Sequence, residues 1–249
     1  MSNTKVSNPF NILRTKDFNP EKLKITEPTK TKYNSLQSYI NYPSNDNPQG
    51  KVIYQTPIMY SPFGLTESKM SEDDEPKYYL ELGFNSTTDK LEGFHKKARD
   101  LFEGIDKRMI DEAVENSALW FKKKKSRQVI IDEKYKSALQ KDVDEDGNAK
   151  NQYSDRLKFK VLKDDKTGAP NVEIYDHNKE RIECDSIERL RELITPGRHM
   201  KAIVQAGTVW IGTTGCGISW KVLQIKLYPS GQEQLEDYAF DESDDVEEL

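Results

Sequence analysis

The sequence predicts a mainly β chain with α elements, an α+β fold, and three stretches carry that prediction. Residues 202–211 and 218–228 are two runs rich in Val, Ile, Leu and Trp. They flank Gly212-Thr213-Thr214-Gly215-Cys216-Gly217 and read as a hairpin. Residues 153–163 alternate, with Leu157, Phe159 and Val161 on one side and Arg156, Lys158 and Lys160 on the other, the period of a half-buried strand with a basic outer row. Earlier in the chain, residues 89–114 set Leu91, Phe94, Ala98, Leu101, Ile105, Met109, Ala113 and Val114 at spacings of three and four. That is the apolar stripe of one long helix.

Taken in order, residues 1–50 are dominated by Asn, Lys, Thr, Ser and Pro and show no sustained period, which predicts a flexible N-terminal arm. Its apolar islands, Phe10-Asn11-Ile12-Leu13 and residues 33–42, can dock on the body or on a neighbouring subunit of a homo-oligomer. Residues 51–59 form a first strand interrupted by Pro57. Ser61-Pro62-Phe63-Gly64 makes a turn and residues 71–76 an acidic loop. Residues 77–84 are a second strand, with Tyr78, Leu80 and Leu82 on one face and Tyr79 and Glu81 on the other.

Thr87, Thr88 and Asp89 offer caps for the helix, and Gly104 is a point where it can bend. Residues 128–140 carry no assignable pattern. Asp142, Asp144, Asp146 and Gly147 imitate the start of a calcium loop, but its twelfth position is Tyr153, so an acidic turn is expected and no calcium. After the turn 164–168 come strands at 171–175 and 181–184, then a short helix 187–194 capped by Ser186 and ended by Thr195-Pro196-Gly197. In the last strand Lys221, Leu223, Ile225 and Leu227 share a face and are assigned to the core. Trp220, Val222, Gln224, Lys226 and Tyr228 share the other and are assigned to a flat, charged ligand.

A chain of 249 residues that is 35% hydrophobic and 33% charged holds one substantial domain, placed at 51–230, with flexible ends. Residues 231–249 carry nine carboxylates and no Lys or Arg, so the net −5 leaves residues 1–230 at +4. A mildly basic body with a disordered acidic tail is the charge asymmetry of a nucleic-acid binder. Only Cys184 and Cys216 are present and no apolar run approaches the roughly 20 residues of a membrane span, which predicts an intracellular protein of a reducing compartment, with no membrane association.

The most concentrated basic feature follows the long helix. Trp120 and Phe121 run directly into Lys122, Lys123, Lys124 and Lys125, with Arg127 just beyond. Cations that track phosphates beside rings that stack on bases suit a nucleic acid; a solvated loop or a nuclear-import signal is the alternative. Enzyme signatures are missing. His95, His177 and His199 lack metal-ligand spacing, and no phosphate-binding loop or nucleophile elbow occurs. No catalytic residue, metal or cofactor is therefore expected, and Cys216 is read as a bystander.

The pattern V-W-I-x-x-x-x-G-x-G-I-S-W-K-V-x-Q-I-K at residues 209–226, with Y-Q-T-P at 54–57 and a Tyr-rich strand after it, resembles the single-stranded DNA-binding proteins of large nucleocytoplasmic DNA viruses. The resemblance covers roughly residues 51–229. It implies an elaborated OB-fold, a five-stranded Greek-key barrel with a helical insertion, that binds single-stranded DNA, or RNA, with little sequence preference in viral replication, recombination or repair. It implies phosphate contacts by Lys158, Lys160, Arg198, Lys201, Lys221 and Lys226 as well as Lys122 to Lys125 and Arg127, and stacking by Trp120, Phe121, Trp210, Trp220 and Tyr228. The location would be the host cytoplasm or nucleus.

An acidic tail after such a barrel is also similar to replication single-strand binding proteins of bacteria and phages, and the −9 tail against the +4 body predicts that it occupies the groove until DNA displaces it, or recruits replication enzymes. This chain departs from them in ending Val246-Glu247-Glu248-Leu249 rather than on an apolar tip with Phe. The rival readings are a non-catalytic structural or assembly protein and, behind it, a nuclease.

Overall fold

The computed structural model describes residues 11–32, 35–43, 50–69, 71–84, 89–144, 148, 150 and 154–229. In chain order its principal elements are β1 (Leu36–Asn41), β2 (Ile53–Gln55), β3 (Met59–Tyr60), β4 (Leu65–Ser68), β5 (Lys77–Gly83), α1 (Asp89–Glu115), β6 (Arg156–Val161), β7 (Glu173–Tyr175), α2 (Ile187–Leu193), β8 (His199–Ile211) and β9 (Cys216–Leu227). The hairpin β8–β9 is longer than its sequence pattern suggests and its turn is tighter, closed by the Gly212 N–H to Gly215 carbonyl bond at 2.8 Å.

Following the hydrogen bonds sideways closes a ring. β8 pairs antiparallel with β9, β9 parallel with β6 at Lys160 opposite Lys221, and β6 antiparallel with β5. β5 then meets β3 at Gly83 opposite Tyr60, and β3 returns to β8 at Met59 opposite Met200. With β2 and β3 counted as one interrupted strand, the order is that of a closed five-stranded barrel of the OB type. Extra strands and a helical insertion elaborate it.

The interruption has the predicted cause. Pro57 cannot donate to the ladder, and Thr56 takes over: its hydroxyl accepts the Ala202 N–H at 3.0 Å and donates to the Pro57 carbonyl at 2.9 Å. At the seam between β3 and β5 the Tyr60 ring lies over Gly83, where any Cβ would run into it.

The barrel interior is filled from the alternating faces. Leu157, Phe159 and Val161 of β6 and Leu80 and Leu82 of β5 are buried, as the alternation predicts. α1 runs unbroken past Gly104 and seals one end, with Phe102 5.7 Å from the Tyr54 ring, 6.2 Å from Phe159 and 5.4 Å from Trp220. The sealing stripe is Ala98, Leu101, Phe102, Ile105, Met109 and Ala113. Leu91 and Phe94, assigned to that stripe from the spacing, lie outside it, and Phe94 is exposed. The helix reaches past the barrel rim before its core-facing turns begin. His95 ties it there, its ring nitrogens 3.1 Å from the Phe84 carbonyl and 2.6 Å from that of Ile58. The cap candidates Thr87 and Thr88, and the side chain of Asp89, lie outside the described residues.

The expected flexible arm is corrected over its described part. Leu13, Phe18, Leu23, Ile40 and Tyr42 are buried, β1 lies antiparallel along β8 from Leu36 opposite Ile211 to Tyr39 opposite Thr208, and Leu13–Arg14 pairs parallel with β2. The apolar islands are too short to show a period, yet each covers part of the barrel wall, and burying them outweighs ordering the polar chain between. Residues 1–10 and 231–249 lie outside the described residues.

The unassigned stretch 128–140 crosses back over the barrel. Tyr135–Lys136 extends the sheet beside Cys216–Gly217, and Leu139–Gln140 pairs with β6. It is latched to α1 by Asp106, whose carboxylate accepts the Tyr135 hydroxyl at 2.7 Å and the Ser137 hydroxyl at 2.5 Å. Burial pushes this carboxyl up from 3.8 to about 6, against the lowering effect of both hydroxyls.

The sign follows from proton binding. Between those values the folded chain holds a proton that the unfolded chain has lost, so this group stabilises the fold at low pH and the contribution disappears as pH rises through about 6. Urea unfolding of wild type and Asp106→Asn across pH 4–7 tests this. The variant should gain on wild type as pH rises, by at most about 1.4 kcal/mol for each pH step crossed between the two values, and parallel pH profiles would refute the assignment.

Candidate nucleic-acid interface

The outward rows of the barrel are fixed by strand register. On β6 and β5, Lys160 stands opposite Tyr79 and Lys158 opposite Glu81. On the other side of β6, Lys160 neighbours Lys221 of β9, and Lys221 neighbours Gln205 of β8. Further along the hairpin, Tyr175 of β7 neighbours Lys226, and Lys226 neighbours Lys201. Lys160, Lys221, Lys201 and Lys226 therefore share the outer surface of one continuous sheet.

Two adjoining grooves lie at the Lys201 end of that surface and share Gln55 and Lys201. The larger, about 670 Å³, is walled by Arg14, Lys16, Lys97 and Lys201 together with Pro57, Ile58, Leu91 and Phe94. The smaller, about 270 Å³, adds Tyr175, Lys179, Gln224 and Lys226. No carboxylate lines either groove among the described residues. Burial, then the nearby Lys226, lowers the Lys201 amine below its usual value; burial, then Lys77, does the same to Lys160. Lys226 lies 5.6 Å from the centre of the Tyr228 ring.

The structure brings together Lys160, Lys201, Lys221, Lys226 and Tyr228 of the predicted contacts. Lys158 is on the same face but is spoken for, 3.3 Å from the buried Glu81 carboxylate, which Arg156 also meets at 2.6 Å, and its amine sits 4.6 Å over the Tyr79 ring. Arg198 is half-buried in the turn before β8, and its Nε is buried without a partner.

Two stacking assignments are corrected. Trp220 is 3% exposed and packs on Phe102 and Phe159; Trp120 is 5% exposed and lies against Phe121. The reason for Trp220 is a bulge: Ile203 pairs with Gln224 but Val204 with Val222, so Leu223 is an extra residue. Alternation reverses across it, which turns Trp220 and Val222 inward along with Ile225 and Leu227, and turns Lys221 outward. The face assignment made from strict alternation is therefore wrong for Trp220, Val222 and Lys221. Trp210 is half-buried on the outer side, its ring against Gly217, where an added Cβ would meet it at 3.2 Å.

The lysine run is set apart from the grooves. Lys122, Lys123, Lys124 and Arg127 are exposed, and Lys125 and Phe121 partly so, beyond the C-terminal end of α1. Lys97 is near its start, and roughly 27 Å of helix lies between Lys97 and Glu115. The loop is held in shape: the Lys125 N–H donates to the Ser117 hydroxyl at 3.1 Å, and Arg127 pairs with Asp111. Arg14, Lys16, Lys97 and Lys179, which line the grooves, carry no sequence signal, because they come from segments far apart in the chain.

Among the described residues no cluster of three or more His, Cys, Asp and Glu side chains is arranged to hold a metal, and no helix is long and apolar enough to cross a membrane. Burial pushes the Cys216 thiol up to about 12, which suits a packing residue rather than a nucleophile.

Residues 85–242 match the family of unknown function DUF5871. No curated protein matches the chain in sequence. Among solved structures it is similar to the single-stranded DNA-binding protein from bacteriophage Enc34 in complex with ssDNA, at 14% identity and a TM-score of 0.38, over 80% of this chain and 93% of that one. The same phage protein without DNA gives 13% identity and 0.39, over 89% and 98%. Its C-terminal truncation gives 13% and 0.37, over 87% and 98%. None of these three comes from a large nucleocytoplasmic DNA virus.

The three tryptophans give a direct check on the placement. Acrylamide should quench a single component of the emission, and Trp210→Phe should remove that component while leaving the blue-shifted remainder. Quenching that survives the substitution would mean that Trp120 or Trp220 meets solvent.

Proposed function

The chain belongs to the family of unknown function DUF5871, and we propose that it is a non-catalytic, sequence-nonspecific single-stranded DNA-binding protein that serves DNA replication, recombination or repair. The observation that supports this most is the row of lysines that leads from Lys160 and Lys221, past Gln205 and Gln224, into two grooves at Lys201 and Lys226 that no carboxylate lines among the described residues. The Glu173 carboxylate beside this row is taken up by Gln224 at 2.7 Å and the Tyr175 hydroxyl at 3.1 Å. A flexible polyanion fits such a surface. Lysines and Arg14 take the phosphates and release their counterions, while Phe94, Tyr175 and Tyr228 offer faces to unpaired bases. Lys221 and Lys226 are roughly 15 Å apart along β9, a span over which a single strand can lie flat.

Salt dependence tests the reading. Binding of a labelled oligothymidylate should weaken steeply as salt rises and should tolerate excess duplex competitor. Replacing Lys201 and Lys226 together with Ala should flatten the log–log slope by about 1.4, two single-strand phosphate contacts. Affinity indifferent to salt, or equal for duplex, would remove the proposal.

The tail acts on the same surface. β9 ends at Leu227 beside Lys226, and the nine carboxylates of residues 231–249 follow directly. A chain of twenty residues reaches up to roughly 65 Å, so the tail can lie over the grooves of its own molecule, or reach replication proteins once DNA displaces it. Truncation after Pro229 should tighten oligothymidylate binding at low salt and have little effect at high salt, where the attraction is screened. Unchanged low-salt affinity would leave the tail no part in DNA competition.

A further inference from the structure

We propose that Phe94 is a helix-borne stacking platform that holds an unpaired nucleobase in the larger groove. The proposal rests on the single-stranded DNA reading above and adds where, within the cationic surface, a base rather than a phosphate is held.

Phe94 is 47% exposed, although it belongs to the apolar spacing of α1. Its helix neighbour Leu91 and the loop residues Pro57 and Ile58 line the same groove, so the ring stands in an apolar corner. Arg14, Lys16, Lys97 and Lys201 surround that corner. An aromatic face beside apolar walls, ringed by cations with no carboxylate among the described lining residues, matches a flat heterocycle joined to phosphates. A second protein chain would more readily supply carboxylates to such a ring of cations. At about 670 Å³ the groove is within the roughly 300–1,000 Å³ of cavities that enclose small ring ligands.

The platform is also rigid. His95, the next residue, is held by the carbonyls of Phe84 and Ile58, and Ile58 is itself a groove residue. The helix turn that carries Phe94 and the loop wall at Ile58 are therefore fixed to each other. Gln55, shared by both grooves, stands where the strand would pass from this base site to the phosphate site at Lys226.

The test compares a labelled oligothymidylate with an abasic oligomer of the same length, which keeps the phosphates and lacks the bases. Wild type should prefer the thymidylate. Phe94→Ala should weaken thymidylate binding by about 5- to 100-fold, leave abasic binding and the salt slope unchanged, and so abolish the preference. Phe94→Trp should restore it. If wild type binds thymidylate and Phe94→Ala binds it equally well, this inference fails while the DNA-binding reading stands. If wild type binds neither oligomer, both fail. If Phe94→Ala instead converts a dimer to a monomer in sedimentation and keeps the preference for bases, the ring is a subunit contact and the inference is overturned.

Discussion

One extra residue in the long hairpin decides which side chains this protein shows to solvent. Lys221 and Lys226 are an odd number of positions apart, and in a regular strand they would point to opposite faces. The bulge at Leu223 reverses the alternation between them, so both stand on the outer surface while Trp220, Val222, Ile225 and Leu227 all enter the barrel. The same irregularity therefore completes the core and gathers the cations. Removing it would expose one half of the strand's apolar side chains and bury a lysine.

The helix inserted after β5 is coupled to that arrangement through its ring contacts. Phe102 touches Tyr54, Phe159 and Trp220, residues of three different barrel strands, so α1 is part of the core and not an appendage. The turns before its buried stripe carry Leu91, Phe94 and Lys97 over the grooves. Burial of the stripe and the His95 bonds fix the overhang. The groove wall consequently inherits the stability of the core, and the insertion that obscures the barrel in the sequence is what gives the larger groove its depth.

How much could be read from the chain follows from which features are local. Strand β6 was legible because Leu157, Phe159 and Val161 alternate without interruption, and helix α2 because Ser186 caps it, its hydroxyl accepting the Arg189 N–H at 3.1 Å. The break at Pro57 was legible from proline chemistry alone. Trp220 was misplaced because a bulge leaves no mark in a hydrophobicity pattern. Arg14 and Lys97 escaped notice for a different reason: they meet at Lys201 only after the arm and the helix dock. The lysines after Phe121 are the most conspicuous cations in the sequence, yet the fold carries them to the far end of α1 from the grooves.

Charge placement on the sheet separates structural lysines from the rest. Lys158 has its counterion in Glu81, a buried carboxylate shared with Arg156, and this cluster holds β5 to β6. Lys160, Lys221, Lys201 and Lys226 make no ion pair with a carboxylate among the described residues, and register sets them opposite each other as two like-charge pairs. Cross-strand pairs of the same sign destabilise a sheet, and the Lys201 amine, lowered by burial and then by Lys226, expresses that cost. A protein whose stability alone mattered would place a carboxylate in each pair. Keeping lysine on both strands makes the free surface poorer and an anion on it better, because a phosphate between two such amines relieves the repulsion and gains two attractions in one step.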